Sequence, residues 1–416
     1  MRVLWIKANR LLPIHSGGDI RSFHIAHWLS TRQELTFLSY YDGPCDVSYE
    51  QLLGSHFRSS ICIATGKSLG RLARAVDYLR CLPRRPAYAV ARFDCPLVAE
   101  RIRSECHRER FDVVVCDFLD AAINLPEELN VPVVLFQHNV ESEIWRRYAE
   151  TEPNPVMRSI YGLEFRKMVR YESETVRRFQ HVIAVSHHDR DLMSRWTDSS
   201  RISVVPTGVD VTQYRPDPDQ NFASPIVIFV GAMDWDPNVD AMEYFCKKVW
   251  PLILRQVPGA RLRIVGKNPK RRVGALASES IEVMGRVESV ADQLRQAAVV
   301  VVPLRIGGGT RLKIYEAMAA GRAVVSTSIG AEGLDVQDGS DIVLADSEEA
   351  FSRAVIMLLQ DPALRVRFER AAAEAARRYD WPSVAQTFSD VLERTVGLQH
   401  DTTGVTAARQ QIQARI

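Results

Sequence analysis

The sequence predicts an α/β protein of two domains, and three observations predict it. Short β-branched runs alternate with longer helical patterns along most of the chain, the signature of parallel sheets covered by helices. The 416 residues are too many for one ordinary core and suit two domains of roughly 200 residues each. A stretch rich in Pro, Asp and Asn and without periodicity, TGVDVTQYRPDPDQNFASP, falls near the middle and reads as a linker. With 46% hydrophobic and 25% charged residues and a formal net charge of +2, neither a disordered polymer nor a nucleic-acid-binding surface is expected.

The first domain, 1–206, opens with a strand at VLWI (3–6), then a loop holding Ser16-Gly17-Gly18 and a helix from about 20 to 30. Further strands are expected at 35–41, 112–117, 132–138, 181–186 and 202–206, with a helix of mixed charge at about 156–179, so this half reads as one Rossmann-type domain. The linker is 207–224. The second α/β set, 225–380, has strands at 225–231, 260–266, 281–285, 299–303, 323–327 and 341–345, with helices near 238–256, 288–298 and 312–320. Most of these strands end in Gly, Pro, Ser or Thr, which leaves backbone N–H groups and small residues at the carboxyl edge, where α/β sheets bind ligands. A helical segment at 348–378 is broken by Asp380-Trp381-Pro382, a last helix spans 383–396, and the polar tail 397–416 is expected to be disordered.

Seven cysteines are scattered without a CxxC pair, which favours reduced thiols and a cytoplasmic location. The apolar run at the N-terminus is short and interrupted by Lys7 and Arg10, and no later stretch approaches 18 apolar residues, so no membrane insertion is expected. One local charge bias stands out. Between 67 and 92, Lys67, Arg71, Arg74, Arg80, Arg84, Arg85 and Arg92 face a single acid, Asp77. The ordinary reading is a solvated helix face, and the sharper one is a surface for an anionic membrane or a phosphorylated acceptor.

The most informative segment is PLRIGGGTRLKIYEAMAAGRAVVST, 303–327. A strand ends at Pro303, Gly307, Gly308 and Gly309 allow tight turns, and a helix is expected from Thr310, whose free N–H groups and dipole attract an anion. Arg311 and Lys313 add two positive charges in a first turn that they would otherwise disfavour, a conflict that a bound diphosphate would offset. Glu316 is placed about 9 Å along the axis from Thr310, a distance suited to the ribose hydroxyls of a nucleotide. A solvent-facing Glu is the ordinary alternative, but Ala317, Met318, Ala319, Ala320 and Gly321 make a face too small and apolar for display to water.

This segment resembles the donor-site signature of the family 4 glycosyltransferases, with its EAMAxGxPVV unit. VVPTGVD (204–210), IAVSHHDRDLM (183–193) and IVIFVGAMDWDPNVDAM (226–242) resemble further stretches of that family in the same order, to about residue 395. The resemblance implies the GT-B fold: two Rossmann-like domains facing across a cleft, the N-terminal one for the acceptor, the C-terminal one for the donor, and a C-terminal helix crossing back. It implies transfer of a sugar from a UDP- or GDP-sugar to a glycan or lipid-linked acceptor with retention of configuration. A bacterial enzyme of exopolysaccharide or cell-envelope synthesis, peripheral on the plasma membrane, fits this reading. The nucleotide sugar is a co-substrate; no cofactor, required metal or nucleic-acid partner is expected. Donor binding is carried over to Gly308, Gly309, Thr310, Arg311, Lys313 and Glu316, and to Gly17 and Gly18 of the first domain. His138, at the end of an apolar strand, would lie beside the transferred sugar; Arg311 and Lys313 would stabilise the leaving diphosphate. Glu141, Arg21 and Lys267 are further candidates.

Three departures from the family pattern bear on this reading. The first of its two glutamates is Gly308 here; the usual Arg and Lys after the first donor-domain strand are missing from GAMDWDPN; Thr207 replaces an Asn. Asp234-Trp235-Asp236 reads as a turn rather than a metal motif. The alternatives are a nucleotide-sugar-binding assembly protein without turnover and a sugar-nucleotide epimerase.

Overall fold

The computed structural model describes residues 1–14, 16–67, 70–83, 86–216, 225–306 and 311–413, the side chains of 71, 72, 74, 75 and 399–413 excepted. The chain divides into two compact units, Met1–Val205 with Val384–Ile416, and Pro206–Ser383.

Unit 1 holds strands β1 (Arg2–Ala8), β2 (Glu34–Tyr41), β3 (Ser59–Ala64), β4 (Val113–Asp117), β5 (Val133–Phe136), β6 (His181–Ala184) and β7 (Ile202–Val204). They form one parallel sheet in the order β3-β2-β1-β4-β5-β6-β7. The inner strands read as continuous apolar runs because both faces are covered, and β4 and β5 are buried throughout. Strand β3 is not foreseen from the sequence: at the sheet edge, its SSICIA is only partly buried and shows no apolar run long enough to stand out. Trp5 anchors the core, stacked on Phe37 and Phe388 and edge-on to Phe136. Phe388 comes from the last helix, which from Val384 onward packs within unit 1, where Gln33 Nε2 donates to Ser389 Oγ at 2.7 Å.

Unit 2 holds β8 (Ile226–Val230), β9 (Arg261–Val265), β10 (Ile281–Gly285), β11 (Val299–Val302), β12 (Ala323–Ser326) and β13 (Val343–Leu344), parallel in the order β10-β9-β8-β11-β12-β13. The ends of β8 and β9 nearly touch: a Cβ on Gly266 would sit 1.7 Å from the Gly231 carbonyl oxygen, so only glycine fits there.

Helix boundaries depart from expectation where proline intervenes. The helix foreseen at 348–378 is two helices, Glu348–Gln360 and Pro362–Arg377, because Asp361 caps the second and Pro362 cannot continue the first. That foreseen at 238–256 carries a π turn at Phe245–Val249 just ahead of Pro251. The last helix runs from Trp381 to Gln413 and so extends through most of the tail expected to be disordered, a stretch without proline and rich in Ala, Gln and Arg. Among the described residues no helix is long and apolar enough to cross a membrane.

Both sheets reverse their strand order once, unit 1 between β1 and β4 and unit 2 between β8 and β11. Crevices at such reversals, outside the strands' carboxyl ends, are where open α/β sheets bind ligands.

Candidate functional site

At the reversal point of unit 1 the parallel register sets Lys7 of β1 opposite Asp117, the last residue of β4. Asp117 is nearly inaccessible and surrounded by donors: Trp5 Nε1 at 2.9 Å, His138 Nε2 at 2.6 Å and the Lys7 ammonium at 3.5 Å. Burial alone would raise its carboxyl; Lys7 and His138 outweigh that and hold it well below the usual carboxylate range. The helix Gly17–Ser30 closes the other side. Ser16 and Asp19 form its capping box, Asp19 pairs with Lys7 at 3.6 Å, and Ser22 accepts from Lys7 at 3.3 Å.

His138, two residues past β5, is buried and holds partners on both ring nitrogens. Nε2 faces the Asp117 carboxylate, so it carries the proton; Nδ1 then accepts from Arg21 Nη1 at 3.0 Å, and the same guanidinium donates to the His138 carbonyl at 3.2 Å. Burial lowers the imidazole to about 4, with Arg21 and Lys7 adding to the effect against the pull of Asp117, so the ring is neutral at pH 7. A ring held this way is a fixed, uncharged element of the surface, with no lone pair left over for general-base work. Gly18 lies against it: a Cβ there would be 3.8 Å from the imidazole, ordinary contact, so the glycine leaves the ring edge uncovered.

The backbone after Asp117 is strained. Phe118 has φ 76° and ψ 170°, a region populated essentially by glycine and costing a bulky residue about 1–3 kcal/mol. Its N–H is nevertheless satisfied by the Phe136 carbonyl at 2.9 Å, and its ring lies 5.4 Å from that of His138. Glu141 begins the helix Glu141–Thr151, whose first N–H groups are capped from another helix: Glu172 accepts from Glu141 N at 2.9 Å and Ser142 N at 3.0 Å.

At the reversal point of unit 2, Lys313 reaches back from the helix Leu312–Ala319 to the end of β8. Its ammonium donates to Asn238 Oδ1 at 2.9 Å and lies over the Phe229 ring at 4.2 Å. A Cβ on Gly231 would come within 2.6 Å of that nitrogen, so the glycine ending β8 makes the room that Lys313 occupies. Burial, with Arg311 beside it, lowers the Lys313 ammonium to about 7, against a weaker pull from Glu316. Arg311 is buried as the N-cap residue of the same helix, its guanidinium 5.8 Å from the Trp235 ring. Glu316, one turn beyond Lys313, has its carboxyl raised by burial and hydrogen-bonded to the Tyr214 hydroxyl. Two cations and a carboxyl thus meet beside a glycine where two strands part, a chemistry that suits an anion flanked by hydroxyl groups.

The structure therefore brings Arg311, Lys313 and Glu316 together in unit 2, and Gly18, Arg21 and His138 together in unit 1, with Gly17 in the first turn of its helix. Gly308, Gly309 and Thr310 lie outside the described residues, and the helix expected from Thr310 starts at Leu312. Lys267 follows β9, where its carbonyl accepts Met233 N–H at 3.0 Å. Asp234 accepts from Asn268, and Asp236, the first residue of the helix Asp236–Tyr244, is paired with Lys270 and Arg272. Sequence reasoning missed Lys7, Asp117, Asn238, Tyr214 and Gly231. Asp117 ends a strand that was recognised and Lys7 directly follows the run VLWI expected as the first strand, so the convergence of strand ends could have found them; Asn238 and Tyr214 carried no local signal.

Residues 58–213 match the family model described as glycosyltransferase family 4, and residues 224–361 the one described as glycosyl transferases group 1. Phosphatidyl-myo-inositol mannosyltransferase of Mycobacterium leprae is 32% identical over 232 residues, 51% of this chain and 58% of that protein. D-inositol 3-phosphate glycosyltransferase of Xylanimonas cellulosilytica is 27% identical over 71% of this chain and 76% of its own length. The chain thus spans little more than half the length of the mannosyltransferases it matches. Among solved structures, sucrose-phosphate synthase from Thermosynechococcus elongatus superposes with a TM-score of 0.72 at 15% identity, covering 96% of this chain and 100% of that one. Anabaena HepE, solved in complex with UDP, superposes with a TM-score of 0.65 at 16% identity, covering 95% and 100%. The fold is the GT-B type, built of two parallel-sheet Rossmann-like units, as the sequence predicts.

Proposed function

We propose that this chain, which belongs to the family 4 (group 1) glycosyltransferases, moves a sugar from a UDP- or GDP-sugar to a glycan or lipid-linked acceptor. The observation that carries the proposal is the cluster of Arg311 and Lys313 with Asn238 and Gly231 at the unit 2 reversal point, two neighbouring cations of the kind a diphosphate requires. Solved neighbours that hold UDP, and relatives named as mannosyl- and glycosyltransferases, support the same reading.

In this mechanism the diphosphate is the leaving group. As the glycosidic bond to it lengthens, negative charge grows on its oxygens, and cations already in place stabilise that charge without reorganising. Arg311 and Lys313 take this role, and bound diphosphate draws the Lys313 ammonium back into its charged form. Glu316 accepts from the ribose hydroxyls in place of Tyr214. With no free ring nitrogen, His138 serves beside the sugar as a neutral, immobile wall. An acceptor hydroxyl attacks the anomeric carbon on the face the diphosphate departs from and passes its proton to a departing phosphate oxygen, so configuration is retained. Fixed cations supply what a divalent ion would otherwise give, so the proposal includes no required metal and no cofactor beyond the co-substrate. The test is incubation with UDP- and GDP-sugars with and without EDTA, followed by NMR of the released or transferred sugar; turnover with retained configuration and indifferent to EDTA is expected, and inverted product or no turnover with any donor would refute it.

The proposal also places the protein on the inner face of an anionic membrane. The helix Arg71–Cys81 supports this, with Val76 and Leu79 exposed beside Arg80; Arg84 and Arg85 lie outside the described residues. Paired Leu79→Asp and Arg80→Glu changes should abolish cosedimentation with anionic vesicles, and unchanged cosedimentation would end the idea.

A further inference from the structure

Beyond Phe118, unit 1 holds a cavity of about 350 Å³ that neither the donor chemistry nor the His138 network uses. Its walls are of two kinds. Tyr78 and Tyr88 meet edge to face at 5.3 Å, and Trp145, braced by Tyr148 and Tyr161, adds a broad indole. Between them stand three carboxyls, Asp120, Glu141 and Glu164, with Arg92 as the cation of the described lining. Aromatic faces beside carboxyl groups are a natural wall for a polyhydroxylated ring, whose C–H face packs on aromatics and whose hydroxyls donate to and accept from carboxyls.

The charges in this cavity leave little to attract an anion. Glu164 is already engaged by Lys167 at 3.3 Å and by Tyr88 N–H at 2.7 Å. Burial, with Asp120 and Glu172 nearby, raises the Glu141 carboxyl to about 8, so it is protonated at pH 7 and can donate. Burial raises Asp120 to about 6 against the pull of Arg92 and Lys7, which leaves it largely ionised and able to accept. The Trp145 indole N–H is buried with no hydrogen-bond partner among the described residues. Phe118, with its glycine-like backbone, forms the wall between this cavity and His138.

We propose that this cavity seats the acceptor's receiving ring, and that it selects an uncharged sugar or polyol ring over a phosphorylated one. The proposal rests on the transferase reading for the word acceptor, but the cavity's ligand can be tested apart from it. The full chain is examined by saturation-transfer NMR with methyl glucoside, methyl mannoside, methyl galactoside, N-acetylglucosamine and myo-inositol, and with glucose 6-phosphate and myo-inositol 1-phosphate. At least one neutral ring should bind in the millimolar range. Its signal should fall about fivefold or more in Trp145→Ala and Asp120→Asn, survive in Trp145→Phe, and exceed that of the phosphorylated rings. Comparable or stronger binding of the phosphorylated rings, neutral binding untouched by both disruptive variants in chains that still melt cooperatively, or no neutral binding up to about 20 mM would each overturn it. UDP and GDP titrated into the same wild-type sample separate the two claims. Nucleotide binding without ring binding removes the cavity alone; ring binding without nucleotide binding keeps the cavity as a ring site and removes the transferase reading.

Discussion

The two sheet reversal points do opposite things with charge. In unit 1, Lys7, Asp19, Arg21, Asp117 and His138 engage one another, so the site is electrostatically closed and its groups act as scaffold. In unit 2, Lys313 is steered by a neutral Asn238, sits beside another cation and is pushed toward neutrality by its surroundings. A buried ion pair is compensated within the pair, whereas neighbouring cations disfavour each other and are stabilised when an anion binds beside them. Under the transferase proposal, the same place in the same architecture serves as scaffold in one unit and as receptor in the other.

The contrast breaks most easily at Asp117. Asp117→Ala leaves two buried N–H donors without an acceptor and the Lys7 ammonium with Asp19 as its one carboxylate, and should cost about 3–5 kcal/mol in urea denaturation; a loss below about 1 kcal/mol would mean the network is not structural. Lys313→Met should do the reverse. Stability should hold or rise, while calorimetric affinity for UDP falls on the order of 10- to 100-fold, the worth of one charge-assisted contact. Stability lost without loss of affinity would erase the distinction between the two sites.

pH sharpens the comparison further. Burial and Arg311 lower the Lys313 ammonium of the free protein to about 7, whereas a bound diphosphate favours the charged form. Binding therefore takes up a proton above pH 7, and affinity for UDP should fall with rising pH, by at most about tenfold per unit. A flat profile between pH 6 and 9 would mean that Lys313 does not meet the phosphates. A smaller effect is expected at Glu316: Glu316→Gln should weaken UDP roughly 3- to 10-fold and leave pyrophosphate unchanged, since only the ribose contact is altered. The smallest is for EDTA, which should change UDP affinity less than about twofold.

Much of this was legible in the sequence because the inner strands are buried on both faces and therefore written as runs such as VVVV at 299–302 and VVVC at 113–116. Edge strands were harder, as SSICIA shows. On the donor side, Arg311, Lys313 and Glu316 sit within six residues of one another, so local spacing revealed them. The unit 1 network joins Lys7, Arg21, Asp117 and His138 across more than 130 residues, and only the strand order brings them together. Tyr214 was hidden for a different reason, since it lies in what reads as a linker and matters only through its hydroxyl contact with Glu316.

The most direct test of the central claim is calorimetric titration of wild-type and Lys313→Met protein at pH 6.5 with UDP, GDP and their sugar conjugates. Micromolar-range binding of one nucleotide family to the wild type is expected, with a loss on the order of 10-fold or more in a variant that remains folded. Equal binding to both proteins, or none of these ligands binding to the wild type, would contradict it.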